Sequence, residues 1–213
     1  MTHVLIPLYD GFTALDVVGP YQMLALTPAV TVELVAEESG PVTDDCGSLT
    51  LVATSTWLNH DAPDIVMVPG GPGTGQALRS SLTSWLASVH RDTTWTTSVC
   101  SGSLILGTAG LLDGLRASTH YRHLELLRKF GATPVADRVV EEPAARIITA
   151  AGVSSGIDMG LRLVELVTDR VTAEAVQLWT EYDPQPPFDS GSPTRASDEV
   201  AARAAGYELA ARR

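Results

Sequence analysis

The chain has 213 residues, 45% of them hydrophobic and 18% charged, which suits one globular domain or one domain with an appendage. A formal charge of −11, with Lys129 as the single lysine and the arginines scattered, argues against a surface built to bind the phosphates of nucleic acid. No apolar stretch reaches membrane-spanning length and the chain runs directly from Met1 into a strand-like segment, so we expect a cytoplasmic protein with no membrane partner and two free thiols, Cys46 and Cys100, that lack metal-ligand spacing.

His3 to Leu8 is a nearly continuous apolar run, the pattern of a strand buried on both faces. After Asp10-Gly11, residues Phe12 to Leu26 carry apolar side chains at helical intervals, and Gly19-Pro20 predicts either two short helices or one that bends. Val30 to Ala36 alternates as a strand does, and Ser48 to Val52 does so more weakly. Asp64 to Pro69 is a further apolar strand leading into Gly70-Gly71-Pro72-Gly73. Thr74 to His90 has helical periodicity, and Thr96 to Val99 is β-branched and strand-like. Cys100-Ser101-Gly102-Ser103 follows at once, opening a helix through Leu112 that Gly114 is expected to stop.

His120 to Phe130 reads as helix, with Gly131 as its stop. Val139-Val140 and Arg146 to Ala151 read as strands, and Ser155 to Thr168 and Thr172 to Trp179 as helices. Strands alternating with helices imply a mostly parallel sheet covered on both faces. Residues 1–182 are therefore expected to form one α/β domain. Asp183-Pro184-Gln185-Pro186-Pro187 begins a tail, 183–213, which closes with a helix over Glu199 to Arg213 and packs on the domain or on a dimer partner.

Ligands of open α/β sheets bind beyond the carboxyl ends of the strands. Cys100 sits where a strand turns sharply into a helix, beside unpaired N–H groups that should favour thiolate and lower the thiol pKa. Small neighbours permit the tight turn, as in a nucleophile elbow with sulfur in place of oxygen. The alternative is a buried packing cysteine. Cys46 follows Asp44-Asp45, whose carboxylates should raise its thiol, and is taken as incidental. Asp16, flanked by apolar residues, is either a helix-terminus device or a buried acid suited to proton transfer.

Asp10 to Pro20, Val68 to Gly73, Thr97 to Ser103, Ala117 to Tyr121 and the tail from Tyr182 to Pro193 together resemble the ThiJ/PfpI superfamily, and within it the isonitrile hydratase type. The resemblance implies a flavodoxin-like three-layer α/β sandwich and a homodimer with its site near the subunit interface. It implies Cys100 as nucleophile and Asp16 as acid and base, with a small-molecule isonitrile as substrate. The protease branch of the superfamily has His after its cysteine; Ser101 stands here, where hydratases have Thr, and keeps the hydroxyl donor without the β-branch that fixes its rotamer. His120 is expected to be structural.

The expected reaction adds water to the isonitrile through a thioimidate on Cys100. Peptide N–H groups around Gly70, Gly71 and Ser101 are expected to stabilise developing negative charge. No cofactor or metal is expected, because Gly70 to Gly73 is too short and wrongly spaced for a dinucleotide fingerprint. Two other readings remain open: a glyoxalase-like or amidase-like enzyme using the same thiolate, and a sensor responding to oxidation of Cys100.

Overall fold

A computed structural model describes residues 1–210. In chain order the elements are β1 (Thr2–Pro7), α1 (Ala14–Ala25), β2 (Val30–Ala36), β3 (Gly40–Thr43), β4 (Thr50–Ala53), β5 (Ser55–Thr56), β6 (Ile65–Val68), α2 (Thr74–Ala77) and α3 (Leu82–Val89). There follow β7 (Trp95–Val99), α4 (Gly102–Thr108), β8 (Arg116–Ala117), β9 (Thr133–Pro134), β10 (Val139–Glu142), β11 (Ile147–Ala150), α5 (Ser155–Val167), α6 (Arg170–Trp179) and α7 (Asp198–Ala210).

The central sheet has seven strands in the order β10-β11-β7-β6-β1-β2-β5. Every neighbouring pair is parallel except β10 with β11, which closes one edge antiparallel. Val4, Leu5 and Ile6 in β1 and all of β6 are fully buried. That double-sided burial is why these strands are continuous apolar runs rather than alternating ones. α1 and α5 pack together on one face, while α4 contacts both α2 and α3 on the other. The flavodoxin-like sandwich read from the sequence is the architecture observed.

Pro20 lies inside a single helix, α1, rather than between two. The helix is held there by α5: a Cβ on Gly160 would stand 3.0 Å from the Pro20 Cα, and one on Gly156 3.3 Å from its Cδ. Two glycines on α5 thus let the proline-bearing turn approach closely, and the tertiary contact outweighs the local penalty of proline.

Three expected helices differ. Thr74 to His90 is broken between Ala77 and Leu82, where Ser80 Oγ donates to Ala77 O (2.9 Å) and accepts from Leu82 N (3.2 Å), so side-chain bonding displaces the helical ladder. α4 ends at Thr108, not Leu112. Gly110 (φ +78°) is its stop, with Gly110 N bonded to Gly107 O and Leu111 N to Leu106 O, each at 3.0 Å. Tyr121–Phe130 is a 3-10 helix rather than an α-helix, and Gly131 (φ +74°) stops it as expected. A β3–β4 hairpin also surrounds the loop carrying Cys46, and its first strand has no counterpart in the sequence reading.

The tail leaves the end of α6 and remains almost wholly exposed from Asp183 to Tyr207. α7 supplies the closing helix as far as Ala210; Ala211 to Arg213 lie outside the described residues. Of the two packings expected for the tail, on the domain or on a dimer partner, only the first lies within a single chain, and there the tail is exposed. No helix among the described residues is long and apolar enough to cross a membrane.

Candidate active site

β7 runs between β6 and β11 in the middle of the sheet, and its carboxyl end delivers Cys100. The chain reverses there through a left-handed residue: Cys100 has φ +55°, a conformation that costs a non-glycine residue about 1–2 kcal/mol. The turn is held from both sides. Cys100 N donates to Ala151 O (2.8 Å) and Ala150 O (3.2 Å) at the end of β11. Its carbonyl accepts from Thr119 Oγ1 (2.9 Å) and Ser103 Oγ (3.2 Å). Space for the turn comes from glycines: a Cβ on Gly70 would lie 2.5 Å from Ser101 N and 3.0 Å from the Cys100 Cβ.

The same glycine brings Asp16 to the cysteine. Thr13 N donates to Gly70 O (2.9 Å), and Gly70 N donates to Asp16 Oδ2 (2.8 Å), so two bonds clamp the start of α1 to the turn after β6. Asp16 is fully buried, and its Oδ1 has no hydrogen-bond partner among the described residues. A buried carboxyl with an open oxygen favours the neutral form. Burial pushes Asp16 up to about 7, Asp45 adds to the rise, and the Gly70 N–H and the neighbouring Cys100 thiol pull the other way. The fold has therefore closed the 84-position gap between the two residues.

The thiol departs from the expectation. Cys100 is 7% exposed, and burial, followed by the charge of Asp16, pushes its thiol up rather than down. The N–H groups of Ser101 and Val153 and the Ser101 hydroxyl do favour thiolate. Their pull at the start of a seven-residue helix is smaller than the desolvation it opposes. Burial pushes both groups towards their protonated forms, and each negative charge disfavours the other, so Asp16 and Cys100 titrate as a coupled pair.

Gly70 and Gly71 sit beside Cys100, but their N–H groups are already engaged. Gly70 N holds Asp16, and Gly71 N donates to Ser101 Oγ (3.0 Å). Ser101 Oγ also meets Thr74 Oγ1 (2.8 Å), which meets the Tyr9 hydroxyl (3.2 Å), and Tyr9 donates to Pro69 O (2.7 Å). Burial pushes the Tyr9 phenol up, with Asp16 and Cys100 adding to the effect, so it is neutral. Tyr9 and Thr74 were not singled out from the sequence. The only available signal was position, since each borders a strand-end turn.

His120 borders the turn after β11, where a Cβ on Gly152 would lie 2.9 Å from its ring. Its imidazole accepts from Arg122 N at 3.5 Å and stacks on Tyr121 with ring centroids 4.6 Å apart. Cys46 is exposed, and Asp45 pushes its thiol up, as its neighbours in sequence suggested. Asp44, Asp45 and Cys46 are close enough to share an ion. Asp44 is instead occupied in its own turn, accepting from Ser48 N (3.0 Å) and Leu49 N (3.1 Å), while Asp45 accepts from Thr13 Oγ1 (2.7 Å).

The assembled site is thus a strained cysteine at a strand end, a buried acid beside it, and a hydroxyl chain behind it. Such an arrangement suits nucleophilic addition with proton transfer at the attacked atom. The chain is 43% identical to "Isonitrile hydratase" of Pseudomonas putida over 194 residues, 91% of this chain and 84% of that one. In structure it is similar to a ThiJ/PfpI family protein from Pseudomonas syringae, with a TM-score of 0.91 and 38% identity, covering 99% of this chain and 86% of the other. Drosophila melanogaster DJ-1beta shares the fold at a TM-score of 0.76 and 16% identity, covering 84% of this chain and 97% of that one. The DJ-1/PfpI family description matches residues 2–166, more than three quarters of the length, and the chain belongs to that family.

Proposed function

We propose that this protein is an isonitrile hydratase, converting an isonitrile to an N-substituted formamide with Cys100 as nucleophile and Asp16 as general acid and base. One observation carries the reading: a buried carboxyl with an unpartnered oxygen lies beside a left-handed cysteine, in a chain 43% identical to the Pseudomonas putida protein of that name.

In the reactive form Asp16 carries a proton and Cys100 Sγ the charge. The sulfur attacks the terminal carbon of the isonitrile while Asp16 delivers its proton to the same carbon, leaving a thioimidate and an ionised Asp16. Asp16 then takes a proton from water as the oxygen adds to that carbon. The remaining hydroxyl proton passes to nitrogen, the carbon–sulfur bond breaks, and formamide and thiolate are released. The accessible edge of Cys100 meets substrate, while the fully covered Asp16 exchanges protons only with what enters. The N–H of Ser101 acts on the sulfur side, where charge develops.

The working unit is proposed to be a homodimer in the cytoplasm. Val171, Leu178 and Trp179 form an exposed apolar face on α6 (74%, 79% and 78% accessible), next to a tail that does not pack on its own domain. A second copy supplies both surfaces reciprocally. The two unpaired thiols fit a reducing compartment.

The test is incubation with a simple alkyl isonitrile, following formamide release and the mass of the protein. Wild type is expected to release formamide and to carry a transient adduct on Cys100, and Cys100→Ala is expected to do neither while melting normally. Undiminished hydration by Cys100→Ala would overturn the mechanism.

A further inference from the structure

Tyr9, Thr74 and Ser101 form a chain of hydroxyls whose hydrogens can be counted. The Pro69 carbonyl can only accept, so the single Tyr9 hydrogen is committed to it at 2.7 Å. Tyr9 therefore offers Thr74 only a lone pair, at 3.2 Å. Thr74 has one hydrogen and two neighbours, Tyr9 Oη and Ser101 Oγ, the latter at 2.8 Å. Ser101 Oγ already accepts from Gly71 N (3.0 Å), and besides a long contact to Gly71 O (3.5 Å) its own hydrogen has two destinations, Thr74 Oγ1 and the neighbouring sulfur of Cys100.

Two arrangements follow. In the first, Ser101 donates to Thr74, Thr74 to Tyr9 and Tyr9 to Pro69, and nothing reaches the sulfur. In the second, Thr74 donates to Ser101, the long Tyr9–Thr74 bond is given up, and Ser101 donates to Cys100. A charged sulfur favours the second, because a bond to an ion is roughly twice as strong as a neutral one. A neutral sulfur, as thiol or as covalent adduct, favours the first.

We propose that Tyr9 and Thr74 are positioning residues that decide where the Ser101 hydroxyl points its hydrogen, toward the sulfur while it is charged and away from it once an adduct has formed. In the second half of the cycle the Ser101 oxygen then presents a free lone pair to the incoming water. The inference rests on the reading of Cys100 as nucleophile and not on the identity of the substrate.

The consequence is opposite to that of losing an ordinary supporting hydroxyl. Tyr9→Phe removes the acceptor that keeps Thr74 turned away from Ser101, so the Ser101 hydrogen is left on the sulfur and thiolate is favoured. In a Cys46→Ser background, the rate of Cys100 alkylation by iodoacetamide is measured against pH. Tyr9→Phe and Thr74→Val are each expected to lower the midpoint, on the order of half a unit to one unit, the equivalent of one neutral hydrogen bond. Thr74→Ser restores the hydroxyl and is expected to return the midpoint to its wild-type position. The double variant Tyr9→Phe/Thr74→Val is expected to shift no further than either alone, because the chain acts as one unit. With a simple alkyl isonitrile, kcat is expected to fall in Tyr9→Phe while the Cys100 adduct accumulates.

An unmoved or raised midpoint in Tyr9→Phe overturns the proposal. So do additive shifts in the double variant, which would mean that each change merely loosens the burial of the sulfur. Tyr9→Phe keeps the ring and its packing, so the test does not depend on Thr74→Val folding. Midpoints that move as expected in a protein inert to isonitriles would leave the hydroxyl chain standing and remove the substrate. Wild-type hydration in every variant with unmoved midpoints would do the reverse.

Discussion

At the scale of single residues the site turns on Asp16. Its carboxyl is pushed up to about 7 by burial, whereas the unfolded chain holds it near the ordinary carboxylate value of about 4. Between those values the folded protein binds the extra proton, so stability is complete below the lower value and is lost as pH rises through the upper one. Asp16→Asn is therefore expected to melt above wild type at alkaline pH, with the advantage shrinking towards pH ~4. Thermal melts across that window check the sign, and an advantage independent of pH would show that Asp16 is not its source. The same substitution is expected to leave Cys100 open to alkylation while lowering turnover by roughly 10²–10⁴-fold, the usual contribution of a general acid or base. Cys100 was legible in the sequence because Thr96 to Val99 and Ser101 to Ser103 mark a strand-to-helix turn. Its protonation was not: the donors are local, but the burial and the Asp16 charge that outweigh them come from distant segments.

At the scale of elements, the turn after β6 joins what the sequence keeps apart. Gly70 holds Thr13 and Asp16 with its carbonyl and N–H, and it leaves room for Ser101 and Cys100. A side chain is excluded by space, since the obstructing atom is backbone nitrogen, which cannot swing aside. Gly70→Ala is thus expected to cost at least about 1–3 kcal/mol, the usual penalty of overpacking, and to abolish turnover by moving Asp16 from Cys100. Urea unfolding and formamide release measure the two effects, and an active, stable Gly70→Ala protein would contradict this geometry. The element misreadings have a common origin. Ser80 broke a periodic run through its own hydroxyl, and Gly110 stopped α4 earlier than Gly114 by completing two capping bonds. Apolar spacing reports which face is buried and is blind to both.

At the scale of the whole molecule, the proposed homodimer would cover the exposed α6 face and the tail. A 13-residue helix such as α7 is marginal in water without tertiary contacts. Wild type is expected to scatter light as twice its 22.5 kDa, and Trp179→Glu as a folded monomer. A monomeric wild type, or a dimeric Trp179→Glu, would remove α6 from the interface. With a net charge of −11 on each copy, the proposed pairing would depend on apolar contact, because like-charged copies repel over long range.

The sequence by itself determined the sheet, the buried strands and the elbow that carries Cys100, because hydrophobic period and turn chemistry act between neighbours in the chain. It also carried the family resemblance, which the matched family and the two Pseudomonas relatives bear out. Only the tertiary structure decided that Asp16 stands beside Cys100, that burial outweighs the helix donors at the sulfur, and that Tyr9 and Thr74 back Ser101. Those facts depend on electrostatics and hydrogen bonds between residues 27 to 84 positions apart, and such contacts exist only once the sheet has closed.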